Sequence, residues 1–194
     1  MLTAEPAILC GVDEAGIGAL AGPVVAGAVV FKGEIPHGVR DSKKLSPRQR
    51  EALYSVLVET CHWAVGIVEP SVIDRINIRQ ATFLAMQLAV RSLDVTPSHI
   101  VVDGNVHPGF PTVPLAQVEA VVKADDTVPQ VSAASILAKV TRDRILRELD
   151  ARHPGYGFAR HAGYPTAAHK QALLALGPSP VHRLSYAPVR EVLG

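Results

Sequence analysis

The sequence predicts an α/β fold: a mixed five-stranded sheet flanked by helices on both faces, with a short helical C-terminal extension. Three observations lead there. Five short runs rich in β-branched residues are each bounded by Gly, Pro or polar turns. Helix-patterned stretches lie between these runs as well as after them. The crossover into the fourth run is long and helical, which calls for parallel pairing, whereas connections of two residues or so between the early runs imply antiparallel pairing.

The elements follow in order. Ile8 to Val12 reads as a short buried strand, and Pro23 to Phe31, with Val24, Val25, Val29 and Val30, as a second. Lys32 to Lys44 is a polar loop. Ser46-Pro47 supplies an N-cap with Pro at the first helical position and opens a helix to about Glu59. Trp63, Val65 and Ile67 alternate as a third strand. Asn77 opens a helix to about Ser92, with Ile78, Ala81, Leu84, Ala85 and Leu88 on one face. His99 to Asp103 and Gln117 to Val122 are the fourth and fifth strands, and Gln130 to about Asp150 is helical. Beyond Pro154 the chain turns Gly- and His-rich, with helical pieces near Ala167–Leu176 and Val189–Leu193.

With 194 residues, 48% apolar and 19% charged, the chain fits one domain over 1–194, including an extension over about 153–194. The longest apolar stretch, around Ala19 to Phe31, is broken by Gly22, Pro23 and Gly27 and is too short to span a bilayer. Met1 to Cys10 shows no signal-peptide pattern. Cys10 and Cys61 form no C-x-x-C and read as buried thiols of a cytoplasmic protein. The net charge of +1 hides an asymmetry. Residues 1–138 carry 10 Lys/Arg against 14 Asp/Glu, and residues 139–194 carry 9 against 4. An acidic site beside a basic tail suits a protein that holds cations in one place and phosphates in another; an ordinary solvated surface gives the same counts.

Acidic residues stand where strands should end: Asp13-Glu14, Asp103 before Gly104-Asn105, and Asp125 after Val121-Val122. Each alone reads equally as a solvated turn. Their conjunction after apolar runs is what a pair of divalent cations needs, and two-cation sites cleave phosphodiesters. Adjacent strand residues point to opposite faces, so Asp13 and Glu14 share a cluster if the strand ends between them, or if one binds through its backbone or a water. Gly16-Ile17-Gly18-Ala19-Leu20-Ala21 formally matches a dinucleotide fingerprint, but Pro23 and a Val-rich strand follow where that motif needs a helix. Gly16 and Gly18 better suit close approach of a nucleic-acid backbone. Ser132, Ser135, Lys139 and Arg142 share one helical stripe, a track for phosphate oxygens or a plain solvated face, opposite Ala133, Ile136, Leu137 and Val140. Asp41-Ser42-Lys43-Lys44 grips phosphate or leads into the helix. Tyr156, Phe158 and Tyr164 stack on nucleic acid or staple the tail to the core. His161 and His169 are candidate acid–base groups or ligands, though lone histidines are mostly neither.

These residues together resemble bacterial ribonuclease HII, the type 2 ribonuclease H. The resemblance runs through Gly11-Val12-Asp13-Glu14-Ala15-Gly16, Ala21-Gly22-Pro23-Val24-Val25, Asp41-Ser42-Lys43-Lys44-Leu45-Ser46, Asp103-Gly104-Asn105 and Val122-Lys123-Ala124-Asp125. It continues through the run from Ser132 to Asp143, Gly163-Tyr164-Pro165-Thr166 and His182-Arg183-Leu184-Ser185-Tyr186. It implies a ribonuclease H-like fold and a metal-dependent endonuclease with Asp13, Glu14, Asp103 and Asp125 as both catalytic and metal-binding residues, holding two Mg²⁺ or Mn²⁺ ions. It implies hydrolysis of the RNA strand of RNA–DNA hybrids and cutting 5′ of single ribonucleotides in duplex DNA, leaving 3′-hydroxyl and 5′-phosphate ends. One cation activates the water and the other steadies the leaving 3′-oxygen. In that family a Gly-Arg-Gly backbone reads the ribose 2′-hydroxyl, and the tyrosine matching Tyr164 stacks on the following deoxyribose. The resemblance further implies that Lys43, Ser132, Ser135 and Lys139 hold flanking phosphates.

The chain departs from that pattern at Ile17, where the family has Arg, at Ala124, usually Gly, and at Ala162, usually Lys. Ile17 weakens the expected grip on single ribonucleotides. A second reading follows: a protein that binds hybrids or junctions with weakened turnover. A recombinase or resolvase of the same fold shares the carboxylates but gives no reason for Tyr164 beside Gly16–Gly18. The remaining expectations are a monomer in the cytoplasm acting on hybrid and ribonucleotide-containing duplex DNA, with roles in replication and repair.

Overall fold

In the computed structural model, which describes residues 7–40 and 42–194, period-two alternation and Gly placement decide how the sheet stacks. Asp41 and most of the N-terminal segment considered for a signal peptide lie outside the described residues. The strands are β1 (Leu9–Ala15), β2 (Val24–Phe31), β3 (Cys61–Val68), β4 (His99–Asp103) and β5 (Gln117–Val121). Their order is β3-β2-β1-β4-β5. The pairs β1–β2 and β2–β3 are antiparallel, while β1–β4 and β4–β5 are parallel. The expected pairing senses hold, but the early connections are not short. Residues 16–23 join β1 to β2, and a 3-10 turn at Ser42–Lys44 plus helix α1 (Pro47–Thr60) join β2 to β3.

Local chemistry sets the helices. Ser46 caps α1 in a reciprocal capping box with Gln49, with Pro47 at the first turn. Helix α2 (Pro70–Arg91) starts one Pro-led segment earlier than its apolar period indicates. Asn77 interrupts it in the left-handed region (φ 66°), and the Asn77 Oδ1 accepts from Gln80 N–H at 3.1 Å, so Asn77 does cap the segment the pattern picks out. A four-residue turn α3 (Ala124–Thr127) precedes α4 (Pro129–Arg152). Three short helices close the chain: α5 (Phe158–His161), α6 (Ala167–Leu176) and α7 (Ala187–Leu193). Among the described residues no helix is long and apolar enough to cross a membrane.

Helix α2 covers one sheet face, packing Ile73, Ala81, Ala85 and Ala89 on Cys10, Val12, Ala26, Ile100 and Val102. Helices α1 and α4 cover the other, with Leu57, Ala133, Ile136, Leu137 and Val140 around Val29. The backbone of α4 lies almost on the sheet: a Cβ at Gly11 would stand 2.2 Å from the Gln130 carbonyl carbon. Cys10 and Cys61 are free and buried, and burial pushes the Cys10 thiol up to about 12.

The C-terminal extension is tied to the loop between β1 and β2. Arg183, fully buried, donates from Nε to the Gly22 carbonyl (3.0 Å) and from Nη1 to the Ile17 carbonyl (2.8 Å). Leu20 N–H donates to Gly163 O at 2.8 Å, and Arg183 N–H to Leu20 O at 2.8 Å. Tyr156 and Phe158 stack with centroids 5.2 Å apart in a buried cluster, so these two aromatics staple the tail to the core.

Candidate active site

Three carboxylates from distant parts of the chain converge. Asp13, Asp103 and Asp125 each offer an oxygen, and these oxygens lie within 4.8 Å of one another. Strand β1 does not end at Val12, as its sequence suggests. Pairing with β2 carries it on through Asp13↔Gly27, Glu14↔Ala26 and Ala15↔Val25. Pairing with β4 stops at Val12↔Val102. The ladder therefore stays closed on one side and opens on the other, where Asp103 closes β4. Alternation turns Asp13 to the α4 face with Gly11 and turns Glu14 to the α2 face. Glu14 thus stands beside the three-carboxylate cluster. It lines the same cleft with Asp13 and Asp103, and it also lines a second cavity with Ile17, Ile78, Arg79 and Phe83.

Asp125 does not end a strand. It sits four residues beyond β5 in the first turn of α3. Lys123, held left-handed at φ 60°, reverses the chain there. The Ala124 N–H then donates to Asp103 Oδ1 at 2.8 Å, which locks the two acidic segments together. Behind Asp125, the Ser132 hydroxyl donates to the Asp125 carbonyl at 2.6 Å.

The cluster is electrostatically strained. Burial, then the charges of Glu14 and Asp103, hold Asp13 well above the usual carboxylate range. Burial, then Asp103, pushes Glu14 up to about 7, against the pull of Lys43. Burial and then Asp125 raise Asp103. Like charges gathered out of water resist ionisation, and a divalent cation among them removes the conflict. The donors are all hard oxygens, with no Cys or His, which fits Mg²⁺ or Mn²⁺ better than a thiophilic metal.

Asp13, Glu14, Asp103, Gly16, Ile17, Gly18, Lys43, Ser135, Lys139 and Tyr164 line one cleft of about 250 Å³. Lys43 Nζ reaches Asp125 at 2.9 Å while its side chain stays 76% exposed. Lys44 pairs with Asp126. The turn that carries Lys43 is pinned from two sides. Ser42 N–H donates to Ser135 Oγ (3.2 Å), and Arg50 Nη1 donates to the Ser42 and Leu45 carbonyls (3.0 and 2.6 Å). The turn therefore both leads into α1 and presents a cation to the carboxylates.

The expected stripe on α4 splits. Lys139 lines the cleft, paired with Asp143 at 2.7 Å and 5.9 Å from the Tyr164 ring centroid. Ser132 is buried and does not line the cleft, its proton committed to the Asp125 carbonyl. Ser135 gives its proton to Ser132 O at 2.8 Å. Arg142 is fully buried, donating to Pro23 O (2.9 Å), Ala162 O (2.8 Å) and Ala21 O (3.1 Å), so it offers no phosphate contact. Lys139 and Arg142 face the extension and the β1–β2 loop, while Ser132 and Ser135 face Asp125 and the Ser42 turn, neighbours that helix periodicity does not reveal.

Gly16 also has an internal reason. Its φ is +100°, and a Cβ there would stand 2.1 Å from Arg142 Nε. Gly18 opens onto free space, and the loop runs into strand β2, not the helix a dinucleotide site needs. Ile17 is 42% exposed, and its carbonyl accepts from Arg183 and from the Tyr186 hydroxyl (2.7 Å).

His161 and His169 lie outside the carboxylate cluster, and His169 belongs to a buried relay that ends at the Tyr164 carbonyl. Ser179 N–H donates to His182 Nδ1 (2.9 Å), which assigns the His182 proton to Nε2. That proton goes to His169 Nε2 (3.1 Å), and His169 Nδ1–H donates to the Tyr164 carbonyl (2.9 Å). His161 stacks on His169 at 4.4 Å. Sequence reading missed the inward roles of Arg142, Arg183 and His182; their only signal was membership of ordered motifs.

Comparison with known proteins agrees with this geometry. The family model for ribonuclease HII matches residues 10–189. The chain belongs to the ribonuclease HII family. A ribonuclease HII of Paracoccus denitrificans (strain Pd 1222) is 50% identical over 186 residues, covering 95% of this chain and 87% of that protein. The crystal structure of ribonuclease H2 from Pyrococcus horikoshii OT3 superposes with a TM-score of 0.80 at 33% identity, covering 95% of this chain and 96% of that one. The ribonuclease HII in the PCNA complex from Archaeoglobus fulgidus gives a TM-score of 0.75 at 28% identity, covering 92% and 95%. As a ribonuclease HII, the protein is a ribonuclease H enzyme that cleaves the RNA strand of RNA–DNA hybrids, and its family depends on divalent metal. The sheet order and flanking helices are those of a ribonuclease H-like fold.

Proposed function

We propose that this ribonuclease HII also incises duplex DNA 5′ of a single embedded ribonucleotide, using two Mg²⁺ or Mn²⁺ ions held by Asp13, Glu14, Asp103 and Asp125, and leaves 3′-hydroxyl and 5′-phosphate ends. The observation that carries this reading is the three-carboxylate convergence beside a cleft lined by Gly16–Gly18, Lys43, Lys139 and Tyr164. When bound, such cations supply an activated water and charge compensation at the leaving oxygen.

The protein's own groups do the rest. Asp13 and Asp125, each 4% exposed, fix the floor of the site. Ser132 positions Asp125 through its carbonyl, so its role moves from phosphate contact to support. Lys43 and Lys139 hold flanking phosphates, with Ser135 bracing the Lys43 turn. Tyr164, resting over Lys139 and Arg142, stacks on the deoxyribose after the ribonucleotide. Gly18 gives the sugar backbone open access. The protein acts as a cytoplasmic monomer in replication and repair.

Ile17 favours a second reading, a junction-binding protein with weakened turnover. A missing charge-assisted bond is worth about 1.5–3 kcal/mol, or roughly 10- to 150-fold. The test is cleavage of a duplex holding one ribonucleotide, with Mg²⁺ and with Mn²⁺, for the native chain and Ile17→Arg. Incision by the native chain, raised in kcat/KM by the arginine, supports the proposal. Tight binding without incision in either metal supports the second reading, and an arginine variant with no gain refutes the role given to Ile17.

A further inference from the structure

Beside the carboxylate cleft lies a larger one, about 510 Å³, walled by the start of α1, the middle of α4 and α5. The two clefts share Arg50 and Lys139, so they are direct neighbours. Its outer part is basic: Arg48, Arg147 and Arg160 join Arg50 and Lys139, against Glu51 and Asp143. The two carboxylates are already committed, Glu51 to Arg144 (2.6 Å) and Arg147 (2.8 Å), Asp143 to Lys139 (2.7 Å). Arg48 and Arg160 are exposed, stand on opposite walls, and have no carboxylate partner among the described residues. Ala162 lines the same cleft in the left-handed region (φ 49°), two residues from Arg160.

We infer that this outer cleft is a second phosphate-binding site, in which Arg48 and Arg160 clasp the sugar–phosphate backbone of the duplex a few nucleotides from the scissile phosphate. The inference rests on the proposed placement of substrate in the carboxylate cleft. Lys139 and Arg147 are eight residues apart on one helix, about 12 Å along its axis. That span matches roughly three to four nucleotides of duplex rise. A planar guanidinium on each wall suits phosphate oxygens, which are recognised bidentately and without regard to base. The apolar floor, Leu146 and Phe158, adds no base-reading donor, so this site contributes affinity and register, not sequence preference.

The experiment measures binding of a fluorescent RNA–DNA hybrid by anisotropy in chelator, where metal-dependent cleavage is silent, over a range of salt concentrations. The proteins compared are the native chain, Arg48→Ala/Arg160→Ala, the charge-retaining Arg48→Lys/Arg160→Lys, and a control, Arg152→Ala/Arg190→Ala, which removes two exposed cations away from the cleft. Each lost phosphate contact should flatten the plot of log affinity against log salt by about 0.9. The alanine cleft variant should lose about two in slope and bind several-fold more weakly. The lysine variant should keep the slope, and the control should match the native chain. Trimming the duplex so that it ends within the carboxylate cleft should abolish the difference between native and alanine cleft variants. An unchanged slope in the alanine cleft variant, or an equal drop in the control, overturns the inference. Failure of the native chain to cleave in Mn²⁺ overturns the catalytic reading instead, because the slope is measured without metal.

Discussion

Replacing Glu14 by glutamine should stabilise the metal-free protein while cleavage is lost. Burial and the Asp103 charge lift the Glu14 carboxyl from an ordinary 4.5 to about 7. Below pH 4.5 the group is protonated in folded and unfolded chains alike, and it costs nothing. Between 4.5 and 7 the unfolded chain ionises first, so the folded state loses ground as pH rises, and above 7 the loss is complete. At 1.36 kcal/mol for each tenfold change in proton affinity, the full cost is about 3 kcal/mol, or roughly half that once solvent screening of this partly exposed group is counted. For a chain of this length the glutamine variant should melt about 3–12 °C higher at pH 8 in chelator. At pH 5 the gain should shrink to under about 1 kcal/mol. Adding Mn²⁺ should raise the native melting temperature more than that of the variant, because the cation relieves the same repulsion. Thermal melts at both pH values, with and without metal, decide the matter. A variant that melts below the native chain at pH 8 in chelator, or a gap that does not change with pH, would refute the electrostatic reasoning.

Three further outcomes follow from the packing. Arg142→Met strands the buried carbonyls of Pro23 and Ala21 and the part-buried one of Ala162, and should cost about 3–5 kcal/mol, read as a fall in urea midpoint; a change under 1 kcal/mol contradicts the buried-clamp role. Gly11→Ala places a Cβ against the Gln130–Val131 backbone and should cost about 1–3 kcal/mol while loosening metal binding at Asp13, two residues on; calorimetric Mn²⁺ titration checks the second effect. Burial holds His182 down at about 4 against 6.5 in the unfolded chain, so its contribution is intact above pH 6.5 and drains away as pH falls towards 4. The native chain's stability advantage over His182→Gln, compared by denaturant titration, should therefore narrow by up to about 2 kcal/mol between pH 7.5 and 5, and a constant advantage would count against a neutral buried relay.

Much of the molecule was readable before folding was considered. All five strands fall where β-branched runs stand between turn residues, and α1 begins at its Ser46-Pro47 signal. Asn77 caps the helix its pattern indicates, but the preceding turn led by Pro70 escaped because a left-handed residue in mid-helix breaks the apolar period. The end of β1 was misjudged for a related reason: acidic residues look like a strand terminus, while pairing with Gly27 and Ala26 carries the ladder past them. The stripe on α4 shows the limit most clearly. Spacing puts Ser132, Ser135, Lys139 and Arg142 in a row, but it carries no information on what the row faces.

Residue type and local order were enough to name the chemistry, because acids after apolar strands, a glycine loop and an aromatic tail are chemical statements that survive without coordinates. Direction was not encoded locally. Whether a guanidinium meets solvent or three carbonyls, as at Arg142, or whether Asp125 sits on a strand or a helical turn, depends on segments 20 or more residues away along the chain. Burial and hydrogen bonding between distant elements made those choices, since only the folded chain brings their partners within reach.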